Sequence, residues 1–142
     1  IGITYSAFSF IMAIVRMFGD TLAVRFGDMK IVRISGIAST AGIVIFALAP
    51  SIPWAFVGAA LSGAGVAIVF PLAVTAAANR PGRSSADNIA ALNMLAFSAF
   101  LIAPPIIGFV SEAQGLRIAL LMLAPIAILT VLLAKEVNPI RP

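Results

Sequence analysis

The sequence has no cysteine and no histidine, and only 10% of its 142 residues are charged. The first two absences remove disulfides, thiolate or imidazole metal sites and imidazole proton shuttling from this stretch of chain. The third bears on the fold. A soluble domain carries about 25% charged residues, and a water-facing surface cannot be built from nine basic and five acidic side chains clustered in a few short stretches. The period-two alternation of a membrane β-strand is also missing. No nucleophile–base set, metal cluster or phosphate loop is recognisable. Gly63-Ala64-Gly65 lies inside an apolar run with no strand before it, so it reads as helix packing and not as a dinucleotide turn. Neither catalysis nor any cofactor or metal is expected.

What fills the sequence is apolar: 62% hydrophobic residues and a mean hydropathy of +1.16. Runs of about 17–25 apolar residues have the length of a transmembrane helix, the form in which a segment satisfies its own backbone in lipid. We therefore expect an all-α integral membrane fold with five spans, at 3–18, 34–49, 54–77, 88–110 and 116–134. Polar loops at 19–33 and 78–87, a turn at 50–53, a short connection at 111–117 and a tail at 135–142 join and end them. The lipid bilayer is then the first partner. No signal-peptide pattern precedes the first span. The chain opens on Ile1 already inside an apolar run, which reads as a piece of a longer protein whose preceding helices are further partners.

Each span carries positional marks. Gly2, Ser6, Ser9, Ala13, Arg16 and Asp20 recur every three or four residues and share one helix face. Ser35, Ser39 and Gly42 share a face of the second span, and Gly58, Ser62 and Gly65 a face of the third; small residues let helices approach closely. Ser51 and Pro53 suit the start of the third span, and Trp54 sits where an interfacial aromatic anchor belongs. Ser85 or Asp87 caps the fourth. Pro71 is expected to kink the third span, and Pro104, Pro105 and Gly108 to bend or unwind the fourth. Orientation follows from basic residues. Arg16, Arg25, Lys30, Arg33, Arg80, Arg83, Lys135 and Arg141 belong to one side and Arg117 alone to the other, so the first side is cytoplasmic. The net charge of +4 is thus a topology signal and gives no reason to expect nucleic acid.

Gly19 to Arg33 resembles the signature of the major facilitator superfamily of transporters. That signature runs roughly Gly-x-Leu-Ala-Asp-Arg-x-Gly-Arg-Lys in the loop between helices two and three, with a weaker copy between helices eight and nine. Leu22, Arg25 and Gly27 fall in register; Val24 replaces the usual Asp, Asp28 replaces a basic residue, and Gly19-Asp20 opens the stretch. This degenerate form is similar to the second copy. The third span lacks the mid-membrane Arg common in the first half, and Ala103-Pro104-Pro105 with Gly108 resembles the outer part of helix eleven. The resemblance implies helices eight to twelve, an incomplete C-terminal six-helix half of a twelve-helix fold, in a bacterial-type inner membrane with the C-terminus inside.

It further implies transport of a small solute by alternating access, with Arg16, Gly19, Asp20, Arg25 and Gly27 as a cytoplasmic latch. Helices eight, ten and eleven would face the solute path, which makes Tyr5, Ser9, Ser62 and Asn93 lining candidates. Asn93 leads, because an unpaired amide in the membrane is costly, though an interhelical hydrogen bond explains it nearly as well; helix packing explains Tyr5, Ser9 and Ser62 better than solute contact does. No Asp, Glu or His lies within a span, so a proton relay would need groups elsewhere, and the solute reads as uncharged or amphipathic. The alternative is a five-helix membrane subunit that transports nothing and assembles with partner helices.

Overall fold

A computed structural model describes residues 2–137, and among them there is helix and no strand. The order is α1 (Gly2–Phe26), α2 (Asp28–Leu48), α3 (Ile52–Ala78), α4 (Ser85–Gln114), α5 (Leu116–Leu121) and α6 (Ala124–Leu133), ending in a 3₁₀ turn, Ala134–Val137. With α5, α6 and that turn counted as one rod, five helices are long and apolar enough to cross a membrane. The end of the expected tail, including Arg141, lies outside the described residues.

The charged stretch 19–33, expected as a loop, is helical except at Gly27. Nothing in Thr21–Phe26 interrupts a helix, so α1 continues past its apolar part. Gly27 then reverses the chain in one residue at φ 87°, ψ 140°, a conformation that needs a residue without Cβ. Arg25 falls in the last turn of α1 and Asp28 in the first turn of α2, each with the sign the helix dipole favours there. The connection at 111–117 likewise shrinks to Gly115, at φ 91°. The second polar loop is Asn79–Ser84, and the cap of α4 is Ser84, not Ser85 or Asp87. Its Oγ accepts from the Asp87 N–H at 3.1 Å and donates to Asp87 Oδ2 at 2.7 Å. Ser51 stands at the N-cap of α3 with Pro53 just inside, but its side chain makes no capping bond.

The small faces anticipated on the second and third spans meet each other. In hydrocarbon no hydrophobic force drives helices together, so close backbone contact has to supply the attraction. A Cβ added at Gly42 would collide with the Ser62 backbone nitrogen and lie 2.8 Å from the Gly58 carbonyl oxygen. At Gly58 it would lie 2.5 Å from the Phe46 nitrogen, and at Gly65 2.5 Å from the Ser35 carbonyl oxygen. The pairing of 42 with 58 and 62, and of 35 and 39 with 65, makes the helices antiparallel. On its other faces α3 receives α1 in parallel, Gly63 against Phe8 and Gly19 against Ile68, while α2 receives α6 at Gly36 and Val131. The apolar core of Ala23, Ile31, Val32, Ala67, Ile68, Leu72 and Ala134 gathers where α1 and α3 end, α2 begins and the 3₁₀ turn returns. Arg80 and Glu136 form a 3.1 Å ion pair at the same end. By contrast α4 packs mainly along α3 and α5, and among the described residues buries none of its own.

The helical hydrogen-bond pattern continues past the prolines inside the spans. α3 runs unbroken through Pro71, and α4 through Pro104, Pro105 and Gly108. The rod that breaks is the fifth: the Leu123 N–H bonds to Leu120 at 3.0 Å, and Pro125 follows in the first turn of α6. There its missing N–H has no helical partner to lose.

The seam predicts its own weak point. In the purified full-length protein, Gly42→Leu or Gly65→Leu should destabilise the fold by about 1–3 kcal/mol through overpacking, read as a lower melting temperature in detergent. Gly2→Ala, where the added Cβ meets open space, should leave it unchanged. Equal melting for all three would remove the seam from the account.

Candidate functional site

In lipid a polar group without a partner is costly, so each polar group in a span needs a bond. Most hydroxyls are satisfied within their own helix. Thr40 donates to Gly36 at 2.8 Å, Ser62 to Gly58 at 2.8 Å, Ser98 to Met94 at 2.8 Å and Thr75 to Pro71 at 3.2 Å. What stands out is the carbonyl that a proline frees. Pro71 has no N–H, so the Ala67 carbonyl loses its helical donor. Arg16 of α1 supplies one: its Nε donates to the Ala67 oxygen at 3.2 Å. This cross-helix bond ties α1 to α3 beside the core.

Arg16 lies ten residues from the end of α1, about 15 Å along the axis, and not at a loop edge. Asp20, one turn on, is not paired with it: among the described residues the one ion pair is Arg80–Glu136. Of the five latch candidates, Arg16 and Gly19 hold α1 against α3, Gly27 makes the turn, and Asp20 and Arg25 project from the end of α1. Arg25 lies over the Phe26 ring at 5.6 Å. The Arg16–Ala67 contact was missed from the sequence, although both halves of its signal were there: a cation inside one span and a proline inside another.

The lining candidates are not brought together. Ser62 faces Gly42 across the seam, which gives it a packing role. Tyr5 is exposed on α1, its ring 6.4 Å from that of Phe8, and Ser9 is half-buried one turn further on. Asn93 is half-buried on α4. The clefts along α2 and α6 are lined mainly by aliphatic side chains, and none of the four lines either. Among the described residues no cluster of carboxylates has metal-ligand spacing.

A profile of the Major Facilitator Superfamily matches residues 1–141. The chain belongs to that superfamily. It is 32% identical over 130 residues to an uncharacterised transporter of Sinorhizobium fredii, y4wD, covering 92% of this chain and 34% of the relative. It is 32% identical over 125 residues to the membrane protein MosC of Rhizobium meliloti, covering 88% of this chain and 31% of the relative. An uncharacterised MFS-type transporter of Yersinia pestis is 28% identical over 118 residues, with 83% and 31% covered. The chain thus spans about a third of the length of these superfamily relatives, as the covered shares show. No solved structure matches it.

The proline gap makes a thermodynamic cycle testable. Arg16→Ala should destabilise the full-length protein by about 1–3 kcal/mol, the range for a hydrogen bond involving a charged donor. In a Pro71→Ala background, where residue 71 regains an N–H for Ala67, the same change should cost little. Equal losses in both backgrounds, measured by thermal melts, would mean that Arg16 is not serving the freed carbonyl.

Proposed function

We propose that the chain is helices eight to twelve of a secondary transporter that moves a small solute across a bacterial inner membrane by alternating access. The observation that carries this is the superfamily match along residues 1–141 on a chain folded as five serial membrane-length rods. Relatives named as transporters support it. On this reading the basic end, with the Gly27 turn, the Asn79–Ser84 loop and the Arg80–Glu136 pair, is cytoplasmic. Other helices of the longer protein cover the apolar face that α1 leaves open.

The packing refines the latch. Arg16 is engaged with α3, so the groups free to pair with the other half are Asp20 and Arg25 at the exposed end of α1. Made in one state and broken in the other, such pairs bias a two-state equilibrium. The solute is uncharged or amphipathic, in keeping with aliphatic clefts and no acidic residue deep in a span.

Asp20→Asn in the full-length protein should slow solute movement several-fold while membrane insertion stays intact. Initial rates in vesicles, screened over a panel of uncharged and amphipathic solutes, check this. An unchanged rate for a transported solute would remove Asp20 from the latch.

A further inference from the structure

Pro71 shows how this molecule treats a carbonyl that a proline has freed: a donor arrives from another helix, Arg16 on Ala67 at 3.2 Å. α4 holds two more such carbonyls. Pro104 and Pro105 carry no N–H, so Phe100 and Leu101 lose their helical donors at adjacent positions. Among the described residues no side chain donates to either oxygen, whereas the neighbouring Ser98 hydroxyl is already spent on Met94. These carbonyls lie near the middle of the 30-residue helix, at the depth where lipid offers no donor.

The surrounding surface has a definite composition. Asn93, Phe97, Phe100, Pro104, Gly108 and Ser111 follow one another at helical spacing and share one face of α4. Phe97 is 75% and Phe100 82% exposed, and a Cβ added at Gly108 would meet nothing within 4 Å. The face therefore has aromatic walls, a glycine gap beside the prolines, and polar groups at Asn93, Ser111 and the freed Phe100 carbonyl; the freed Leu101 carbonyl lies about 100° round the helix, on the flank of that face. The opposite face, through Leu95, Ile102 and Phe109, is apolar apart from Ser98, whose hydroxyl is bonded back to Met94. Lipid suits that second face. Against the first it would strand the Phe100 acceptor, and against its flank the Leu101 acceptor.

We propose that the Phe100 and Leu101 carbonyls form an acceptor site, in a hydrated wall of α4, for the O–H or N–H donors of an amphipathic solute, with Phe97 and Phe100 contacting its apolar part. The proposal rests on the transport reading for its solute. The hydration of the face does not depend on that reading, so the two can fail separately. Between solutes, water supplies the same donors.

The test uses the full-length protein freed of any native cysteine; these 142 residues contribute none. Single cysteines are placed at Phe97 or Ser111 on the polar face and at Leu95 or Ile102 on the other. Each variant, inserted at wild-type levels in vesicles, is treated with a charged, membrane-impermeant methanethiosulfonate. Phe97→Cys and Ser111→Cys should react about tenfold faster than Leu95→Cys and Ile102→Cys, because lipid excludes a charged reagent. Adding Pro104→Ala and Pro105→Ala, which return N–H donors to both carbonyls, should slow labelling at Phe97→Cys several-fold. Equal or reversed labelling of the two faces would overturn the proposal, as would labelling indifferent to the proline changes. Blocked labelling in a protein that still transports would mean that a donor from another helix occupies the carbonyls, overturning this inference alone. Labelled cysteines in a protein that moves no solute of the panel would overturn the solute part and leave a hydrated face.

Discussion

A backbone carbonyl inside a bilayer has to find a donor, and that requirement organises this chain more than any side-chain contact does. The five rods meet it through their own helical bonds. Prolines 71, 104 and 105 break the ladder without breaking the helix, so each leaves an acceptor that something outside the helix has to satisfy. At Pro71 the answer is Arg16, which explains a cation well inside the first rod. At Pro104 and Pro105 no side chain among the described residues supplies the donor, although Ser98 is close by, bonded to Met94.

The second constraint is packing without a hydrophobic force. α2 and α3 solve it by removing side chains from their shared face, so that Gly42, Gly58 and Gly65 bring the two backbones together. α1 and α6 then add to that pair. The core gathers at the basic end, where the Gly27 turn holds α1 and α2 close and the Arg80–Glu136 pair returns the last rod to the Asn79–Ser84 loop. The other end and the faces of α1 and α4 are left open.

The five rods were legible because apolar length is a direct consequence of bilayer thickness. Even the pairing partners were foreshadowed by the two small faces, Ser35-Ser39-Gly42 and Gly58-Ser62-Gly65. Helix ends were less legible: hydropathy marks where a segment leaves lipid, whereas the helix continues until a residue stops it, here Gly27 and not Gly19. Ser84 was passed over as a cap because Ser85 and Asp87 offer the same chemistry one to three residues on. The role of Arg16 depends on a bond across 51 positions, which local spacing cannot show. Ser62 read as a lining hydroxyl because the pattern that placed it on a face did not say what that face meets.

The most direct measurement is a cryo-electron-microscopy map of the full-length protein in lipid nanodiscs, at a resolution that shows ordered water. The account predicts the Arg16 guanidinium on the Ala67 oxygen, and water or solute density within hydrogen-bond distance of the Phe100 and Leu101 oxygens. Acyl-chain density lying against both of those oxygens, with Arg16 turned away from Ala67, would contradict it.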